Sequence, residues 1–427
     1  MSIAGEPNTP AGWPERAVDM AVRRLASVNL ADNRSSIEEA AASGLLAGAV
    51  TLVWHRGNVL QVNTIGHRDV DAGLPMQRDT IFRIASMTKP VTVAAAMSLV
   101  EQGALSLSDP ISRWLPEMAD MRVLADPAGP LDRTVPARRP ITVEDLMTHR
   151  SGLAYGFSVT GPIGRAYAQV SLRQDADDWL AEVAGLPLVH QPGERITYSH
   201  ATEVLGIALS RIEGKPLHTV LDERILEPLG MADTGFFISG DKRDRAATMY
   251  RLDADEGLRH DAMGPIPVKE PRFCHGGASL VSTADDYLRF ARMLLGGGEV
   301  DGVRVLSEDS VRMMRTDRLT EEQKRQPFLG APFWVGRGFG LNLSVITDPS
   351  KSGRLFWPGG AGTFSWPGAY GTWWQADPAN DLILIYLIQN YPNLTSAAAA
   401  VAGNTSLARL QSVQPKFVRR TYAALDI

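Results

Sequence analysis

The sequence predicts an α+β fold in which one antiparallel sheet, built from both ends of the chain, is flanked by terminal helices and interrupted by an inserted, mostly helical domain. Strand-like patterns lie towards both ends of the 427-residue chain, at residues 47–66 and 338–389. Residues 103–275 between them are rich in helix signals. Because strands and helices bury their apolar faces in shared layers, we expect strands from both ends to form one sheet covered by helices.

The N-terminal segment predicts helices followed by a β-hairpin. Residues 16–28 and 35–43 have apolar side chains at helical spacing. Residues 47–55 and 58–66 have the composition of strands and are separated by an Arg-Gly dipeptide, the length of a tight hairpin turn. This hairpin is expected to begin the sheet.

The middle of the chain predicts buried helices. Residues 91–100 are apolar almost all round and are followed by Gly103, as at the end of a buried helix with a glycine cap. A second helix over residues 201–213 is expected to end at Gly214.

Strand signals return near the C-terminus. They cover residues 338–347, 363–375 and 381–389, and a final helix is expected over 406–423. Proline cannot donate a hydrogen bond to a neighbouring strand, so Pro367 places the second of these strands at a sheet edge.

Composition excludes several classes of protein. The chain has 44% hydrophobic residues, 21% charged residues and a formal charge of −5, which is typical of a globular protein with a large core. It has no long Lys/Arg run, no apolar signal core and no stretch near the ~20 apolar residues of a membrane span. We therefore expect a cytoplasmic protein with neither a nucleic-acid nor a membrane partner. Cys274, the single cysteine, is expected to be a small buried residue without a disulfide or metal role.

The strongest chemical signal is Ser86-Met87-Thr88-Lys89 at the start of the apolar helix. Residues three apart share a helix face, so the hydroxyl and the amine can contact each other. The helix N-terminus disfavours the ammonium form, which would let Lys89 accept the serine proton. The alternative is a capping hydroxyl beside a solvated lysine. The spacing alone is weak, since it recurs at Ser239 and Lys242 in a Gly/Asp turn.

Two further segments carry candidate site residues. Tyr198-Ser199-His200 precedes a helix, and its phenol could share the serine proton and later protonate the leaving group. The segment 363–372 could offer a backbone N–H to an oxyanion, with the N–H of Ser86 as the second donor. The alternatives are a core tyrosine and a buried aromatic strand with a bulge.

These motifs together resemble the family VIII carboxylesterases, which share the fold of class C β-lactamases and DD-peptidases. The resemblance rests on Ser86-x-x-Lys89, Tyr198-Ser199 and Trp366-x-Gly368, in that order. It extends over roughly residues 45–390 and includes several further stretches: Ile81-Phe82-Arg83-Ile84-Ala85, Leu146-Met147-Thr148-His149-Arg150-Ser151-Gly152-Leu153, Gly276-Gly277-Ala278-Ser279-Leu280 and Phe339-Gly340-Leu341.

The resemblance implies a β-lactamase-like fold and a role for each matching residue. Ser86 would be the nucleophile, Lys89 its proton acceptor and Tyr198 the general base and acid. The backbone N–H groups of Ser86 and Ala369 would form the oxyanion hole. The domains would be residues 1–85 with 276–427, and residues 86–275, with the active site in the cleft between them.

The substrate pocket would contain Trp366, Gly368 and His200, with Tyr155 and Phe157 as candidate walls. The chain departs from the family pattern at Pro367, where the esterases usually have glycine, and at His200, where the β-lactamases have asparagine. A tryptophan stands where penicillin-recognising enzymes have a lysine before Thr-Gly or Ser-Gly. A neutral, apolar pocket is therefore expected to prefer neutral esters.

Lys351-Ser352-Gly353 also matches the lysine pattern of penicillin-recognising enzymes, but it follows Asp-Pro-Ser and is expected to be a turn outside the site. The sequence therefore favours a carboxylesterase acting on small short-chain esters. The open alternatives are a β-lactamase or DD-peptidase, an acyltransferase to an alcohol, and a non-catalytic binding protein. No cofactor is implied, and no metal, because the histidines show no ligand spacing.

Overall fold

A computed structural model gives the fold of most of the chain. It describes residues 30–253, 257–261, 263–355, 358–391 and 405–427. The helix expected over 16–28 lies outside these residues.

The described α-helices fall mainly between the two ends of the chain, with one at each end. They are α1 (Ala31–Ala42), α2 (Thr88–Glu101), α3 (Val143–Met147), α4 (Gly161–Gln169), α5 (Ala176–Ala184), α6 (Ala201–Glu213), α7 (Leu217–Leu221), α8 (Ala284–Leu295), α9 (Glu308–Arg315), α10 (Glu321–Lys324), α11 (Pro349–Leu355) and α12 (Thr405–Leu425).

The strands form one large sheet and several small ones. They are β1 (Gly48–His55), β2 (Asn58–Asp69), β3 (Leu74–Pro75), β4 (Phe82–Arg83), β5 (Arg122–Leu124), β6 (Thr134–Pro136), β7 (Tyr250–Asp253), β8 (Gly257–His260), β9 (Val281–Ser282), β10 (Glu299–Val300), β11 (Val303–Arg304), β12 (Arg337–Phe339), β13 (Ser344–Ile346), β14 (Phe364–Ser365), β15 (Trp373–Asp377), β16 (Leu382–Leu387) and β17 (Asn390–Tyr391).

The large sheet confirms that both ends of the chain build one antiparallel layer. Its eight strands follow the order β12-β13-β14-β15-β16-β1-β2-β3. The C-terminal strand β16 pairs with the N-terminal strand β1, with Val50 opposite Leu387. The expected hairpin turn joins β1 to β2, where Arg56 and Gly57 have φ angles of 47° and 83°.

The sheet is covered on both faces. Because side chains alternate along a strand, Val53 and Leu384 point to one face and Leu52 and Ile385 to the other. The first face packs against the terminal helices α1 and α12 in one core cluster. The second face joins the main core, to which α2 and α8 contribute. The α+β fold with terminal helices is confirmed, whereas the domain boundaries remain a prediction.

Two of the expected strands were wrong in extent. Residues 338–347 form a hairpin, because the Gly340 N–H bonds to the Leu343 carbonyl and reverses the chain between β12 and β13. Residues 363–375 form β14, a loop and β15. Since β14 lies between β13 and β15, the expectation of an edge strand at Pro367 was also wrong. The proline follows β14, in a loop that leaves the sheet.

The central helix α2 is buried on nearly all sides, as expected. The Thr92 hydroxyl of α2 donates to the Gly276 carbonyl at 2.6 Å, and the Tyr287 hydroxyl of α8 donates at 2.9 Å to the carbonyl of Met87, just before α2. Helix α6 ends at Gly214 with φ 63°. Cys274 is buried, and burial raises the pKa of its thiol to about 12. In the part of the chain that the structure describes, no helix has the length and apolar character needed to span a membrane.

Candidate active site

The candidate nucleophile lies in a strained turn. Ser86 is the middle residue of a 3₁₀ turn, Ala85–Met87, that runs directly into α2. Ala85 has φ 46°, a left-handed conformation that costs free energy for a residue with a side chain and that often marks functional sites. The residues just before the turn are fixed by a neighbouring segment, because β4 pairs with β9 and the Ile84 N–H donates to the Leu280 carbonyl at 3.0 Å. Ser86 itself is partly exposed.

Lys89 lies one helical turn further on and is fully buried. Its Nζ is 3.4 Å from Ser86 Oγ, as the spacing predicts. Two other contacts fix the amine: 2.7 Å to the Gly277 carbonyl oxygen and 3.0 Å to Tyr155 Oη. The amine is therefore held by groups from two other segments of the chain.

Tyr198 completes a three-residue centre. Its Oη is 2.7 Å from Ser86 Oγ. The indole N–H of Trp366 donates to the same phenol oxygen at 3.2 Å. The Tyr198 backbone carbonyl accepts the Tyr155 N–H at 3.1 Å, so the two tyrosines are fixed relative to each other. The structure thus brings together Ser86, Lys89, Tyr198 and Trp366 from four separate segments.

A buried carboxylate behind this centre was missed at the sequence level. Tyr155 Oη donates to Glu203 Oε1 at 2.8 Å, and Glu203 is 2% exposed. Burial raises the pKa of the Glu203 carboxyl, but the charge of Lys89 opposes burial and leaves that pKa below its ordinary value. Burial and the charge of Glu203 raise the pKa of Tyr155 well above its ordinary value. One signal was available, a glutamate among the apolar residues of α6.

The loop between β14 and β15 reaches the nucleophile from the other side. The Gly368 N–H donates to the Thr372 carbonyl at 2.7 Å, and the Thr372 hydroxyl donates to the Ile84 carbonyl at 3.2 Å. A Cβ atom on Gly368 would overlap that Ile84 oxygen, so only glycine allows this approach. Ala369, next in the chain, is exposed. Its part in an oxyanion hole remains a prediction.

An open cleft of about 470 Å³ lies in front of Tyr198. The Phe157 ring, 51% exposed, stacks on Tyr155 at 5.1 Å between centroids. Phe328 meets the Tyr198 and Trp366 rings at 5.9 and 6.1 Å. The residues that line the cleft are Ser158, Val159, Arg195, Ile196, Thr197, Tyr198, Gln326, Pro327, Phe328 and Leu329.

The other candidates fall in different places. His200 is buried beside Tyr155, with ring centroids 4.4 Å apart, and its role as a pocket residue remains a prediction. Burial lowers the pKa of His200 to about 4. Lys351 lies in α11, not in a turn, where its exposed amine pairs with Asp348 at 2.8 Å. The amine of Lys242 pairs with Asp233 at 2.9 Å.

The described residues contain no cluster of three or more histidine, cysteine, aspartate or glutamate side chains placed to hold a metal ion. The histidines near the centre are instead buried in polar or aromatic surroundings. His149 Nδ1 lies 3.1 Å from Ser199 Oγ, and burial together with the charge of Lys89 lowers the pKa of His149 well below its ordinary value. His149 is therefore neutral beside the centre.

Comparison with known proteins identifies the family of the chain. Residues 33–406 match the family model described as Beta-lactamase. The chain is 69% identical over 401 residues to Protein Rv1367c of Mycobacterium tuberculosis, which covers 94% of this chain and all of that protein.

Two further relatives have named activities. Esterase EstB of Burkholderia gladioli is 33% identical over 330 residues, which cover 72% of this chain and 78% of that protein. The solved structure of EstCE1, "a hydrolase with promiscuous acyltransferase activity", superposes with a TM-score of 0.72 at 27% identity and covers 92% of this chain and 99% of its own.

Proposed function

The chain belongs to the Beta-lactamase family of serine hydrolase-like proteins, and from this premise we propose that it is a carboxylesterase that cleaves small, short-chain carboxylic esters through a Ser86 acyl-enzyme. One observation carries the proposal. The Oγ atom of Ser86 is in contact with both Lys89 Nζ and Tyr198 Oη, at 3.4 and 2.7 Å, and Tyr198 lines an open cleft.

Acylation uses these two contacts. As Ser86 Oγ bonds to the ester carbonyl carbon, its proton passes to the neutral Lys89 amine. The carbonyl oxygen becomes an oxyanion, which the N–H groups of Ser86 and Ala369 would stabilise. Collapse of this tetrahedral intermediate breaks the ester bond, and the departing alcohol takes the Tyr198 hydroxyl proton. The Lys89 ammonium then returns a proton to the Tyr198 phenolate, which completes the first half-reaction.

Deacylation follows the same order of steps with water as the nucleophile. The Tyr198 phenol passes its proton to the neutral Lys89 amine, and the phenolate takes a proton from the water molecule that attacks the acyl carbon. The intermediate collapses, Ser86 Oγ recovers a proton and the carboxylic acid leaves. The Trp366 indole N–H at 3.2 Å from the phenol oxygen stabilises the negative charge that Tyr198 carries in both halves.

The preference for neutral esters rests on Trp366. Trp366 contacts Tyr198 at the position where penicillin-recognising enzymes would have a lysine. Lys351 does not replace that lysine, because its amine is exposed in α11 and pairs with Asp348. A substrate with a free carboxylate would gain no charge pairing at Trp366, while it would lose hydration in the aromatic cleft. A β-lactam, which carries such a carboxylate, is therefore expected to be a poor substrate. The cleft volume of about 470 Å³ suits a small molecule.

Acyl transfer to an alcohol is the second candidate function. The observation that favours it is the similarity to EstCE1, whose title names a hydrolase with acyltransferase activity. The chemistry differs only in which nucleophile attacks the acyl-enzyme. An open aromatic cleft at Tyr198 could admit an alcohol as well as water.

The proposal is tested with p-nitrophenyl esters from acetate to laurate, with nitrocefin and with added alcohol. We expect rapid turnover of short esters, slow turnover of nitrocefin and no turnover of either by Ser86→Ala, with folding retained. Ser239→Ala is the matched control, because it alters the second Ser-x-x-Lys sequence and should keep full activity. Normal turnover by Ser86→Ala would refute the mechanism, faster cleavage of nitrocefin than of esters would favour a β-lactamase, and ester formed from the alcohol would favour a transferase.

A further inference from the structure

Glu203 is a buried ionisable group that the mechanism above does not use. Only one of its two carboxylate oxygens has a hydrogen-bond partner within the described residues: Oε1 accepts from Tyr155, while Oε2 is buried and unpaired. Burying a carboxylate costs free energy unless the carboxylate is hydrogen-bonded and paired with an opposite charge. Glu203 is linked through Tyr155 to Lys89, the group on which a positive charge would form.

The hydrogen bonds around Lys89 have a fixed direction. An ionised carboxylate can only accept, so Tyr155 must donate its single proton to Glu203. Tyr155 Oη can then only accept from Lys89 Nζ, at 3.0 Å. The Gly277 carbonyl at 2.7 Å also can only accept. A neutral amine has two N–H groups and one lone pair, so both N–H groups are committed and the lone pair is left for Ser86 Oγ.

We infer that Glu203 is a positioning residue that acts through Tyr155 to turn the lone pair of Lys89 towards the Ser86 hydroxyl, and whose charge stabilises the ammonium formed when Lys89 takes the serine proton. The arrangement parallels the aspartate of a Ser-His-Asp triad, which orients the base and stabilises its protonated form without taking the proton. The inference rests on the proposed function only in assigning Ser86 as the nucleophile.

Other groups around the carboxylate do not supply this charge. His200 and His275 face Glu203 from α6 and from the segment before Gly277, and burial lowers the pKa of each. Both are therefore neutral at neutral pH. Lys89 is thus the amine whose protonated form the Glu203 charge can stabilise, since a negatively charged neighbour favours the charged form of an amine.

The test measures how fast a fluorophosphonate labels Ser86 as a function of pH, because this rate reports serine reactivity without any ester substrate. For Glu203→Gln we expect a rate constant about 10- to 100-fold lower at neutral pH, the loss found when the outer partner of a metal ligand is removed, because an amide can donate to Tyr155 as well as accept from it and no longer fixes the direction of the hydrogen bonds. The acid limb of the profile should move to lower pH by about one unit, because the lost anion no longer favours the protonated amine.

Three variants separate this role from a structural one. Glu203→Asp keeps the charge and should keep the acid limb at its wild-type pH. Tyr155→Phe cuts the hydrogen-bond chain but leaves the charge, so the rate should fall while the acid limb stays. Asp286→Asn is the matched control, a buried carboxylate bonded to Asp233 and Thr234 that should label like wild type.

A Glu203→Gln variant with the wild-type rate and profile would overturn the inference. The inference is also overturned if Glu203→Gln and Asp286→Asn lose labelling rate to the same extent, their thermal stability falls in parallel and the acid limb does not move. If Glu203→Gln does not fold, an unchanged labelling rate in Tyr155→Phe overturns it. Wild-type protein that labels at Ser86 with the expected variant pattern, but cleaves no ester, would reject the esterase proposal and leave this inference standing.

Discussion

Gly368→Ala tests whether the loop between β14 and β15 positions the reaction at Ser86. A Cβ atom at this position would overlap two atoms, the Thr372 hydroxyl oxygen and the Ile84 carbonyl oxygen. The Thr372 side chain can rotate away. The Ile84 carbonyl is main chain, two residues before the nucleophile, so the loop itself has to retreat.

The geometry gives the size of the effect. Restoring ordinary contact between the new Cβ and the Ile84 oxygen requires the loop to withdraw by about 1 Å, and a displacement of that size at a reacting centre costs on the order of 10²-fold in rate. This is about 2.7 kcal/mol of transition-state stabilisation, within the range for one oxyanion donor. We expect kcat to fall more than KM changes, because the new Cβ would displace the loop from the turn that carries the nucleophile.

The assay is hydrolysis of p-nitrophenyl acetate, with thermal unfolding measured in parallel. Gly353→Ala is the matched control, because a Cβ there meets no atom within 4 Å. If Gly368→Ala keeps the wild-type kcat in a folded protein, the loop does not carry the oxyanion donor, and the role predicted for Ala369 is wrong.

Two other predictions follow from the site. Tyr198→Phe removes the hydroxyl 2.7 Å from Ser86 Oγ and should lower kcat by about 10²- to 10⁴-fold in the same ester assay, and an active variant would exclude Tyr198 as the acid. The pKa of His200 is lowered from 6.5 to about 4 in the folded protein. Between these two pH values the unfolded chain binds a proton at His200 and the folded protein does not. The contribution of neutral His200 to the free energy of unfolding is therefore fully present above pH 6.5 and is lost as the pH falls towards 4. In urea unfolding at pH 7 and pH 5, His200→Gln should therefore lose about 2 kcal/mol less than wild type, and equal losses would contradict this assignment.

Local patterns predicted the parts of the fold that depend on neighbouring residues. The contact between Ser86 and Lys89 follows from one helical turn, and the hairpin turn between β1 and β2 follows from its length and residue types. These features need no information about distant segments. The same holds for Gly214 at the end of α6.

The features that depend on tertiary contacts were not predictable in the same way. The strand pattern over residues 363–375 continues through a loop, because the turn from Gly368 to Thr372 is stabilised by packing against Ile84, a residue far away in sequence. Glu203 was missed for a related reason. A glutamate in the first turn of a helix is usually explained by the helix dipole, and only the fold shows that it contacts Tyr155.

The proposed preference for a neutral ester over a carboxylate-bearing substrate is supported by the charged groups near Ser86. Lys89 and Glu203 are both buried and are joined through Tyr155, whose hydroxyl contacts both side chains. Among the described residues that line the cleft, Arg195 is the cationic one, and its guanidinium pairs with Glu194 at 3.0 Å. The Trp366 indole, which donates a hydrogen bond to the Tyr198 oxygen, is neutral. The cation that a negatively charged substrate would meet among these lining residues is therefore already paired with Glu194, whereas an uncharged ester needs no cation, because the charge it develops appears only on its carbonyl oxygen.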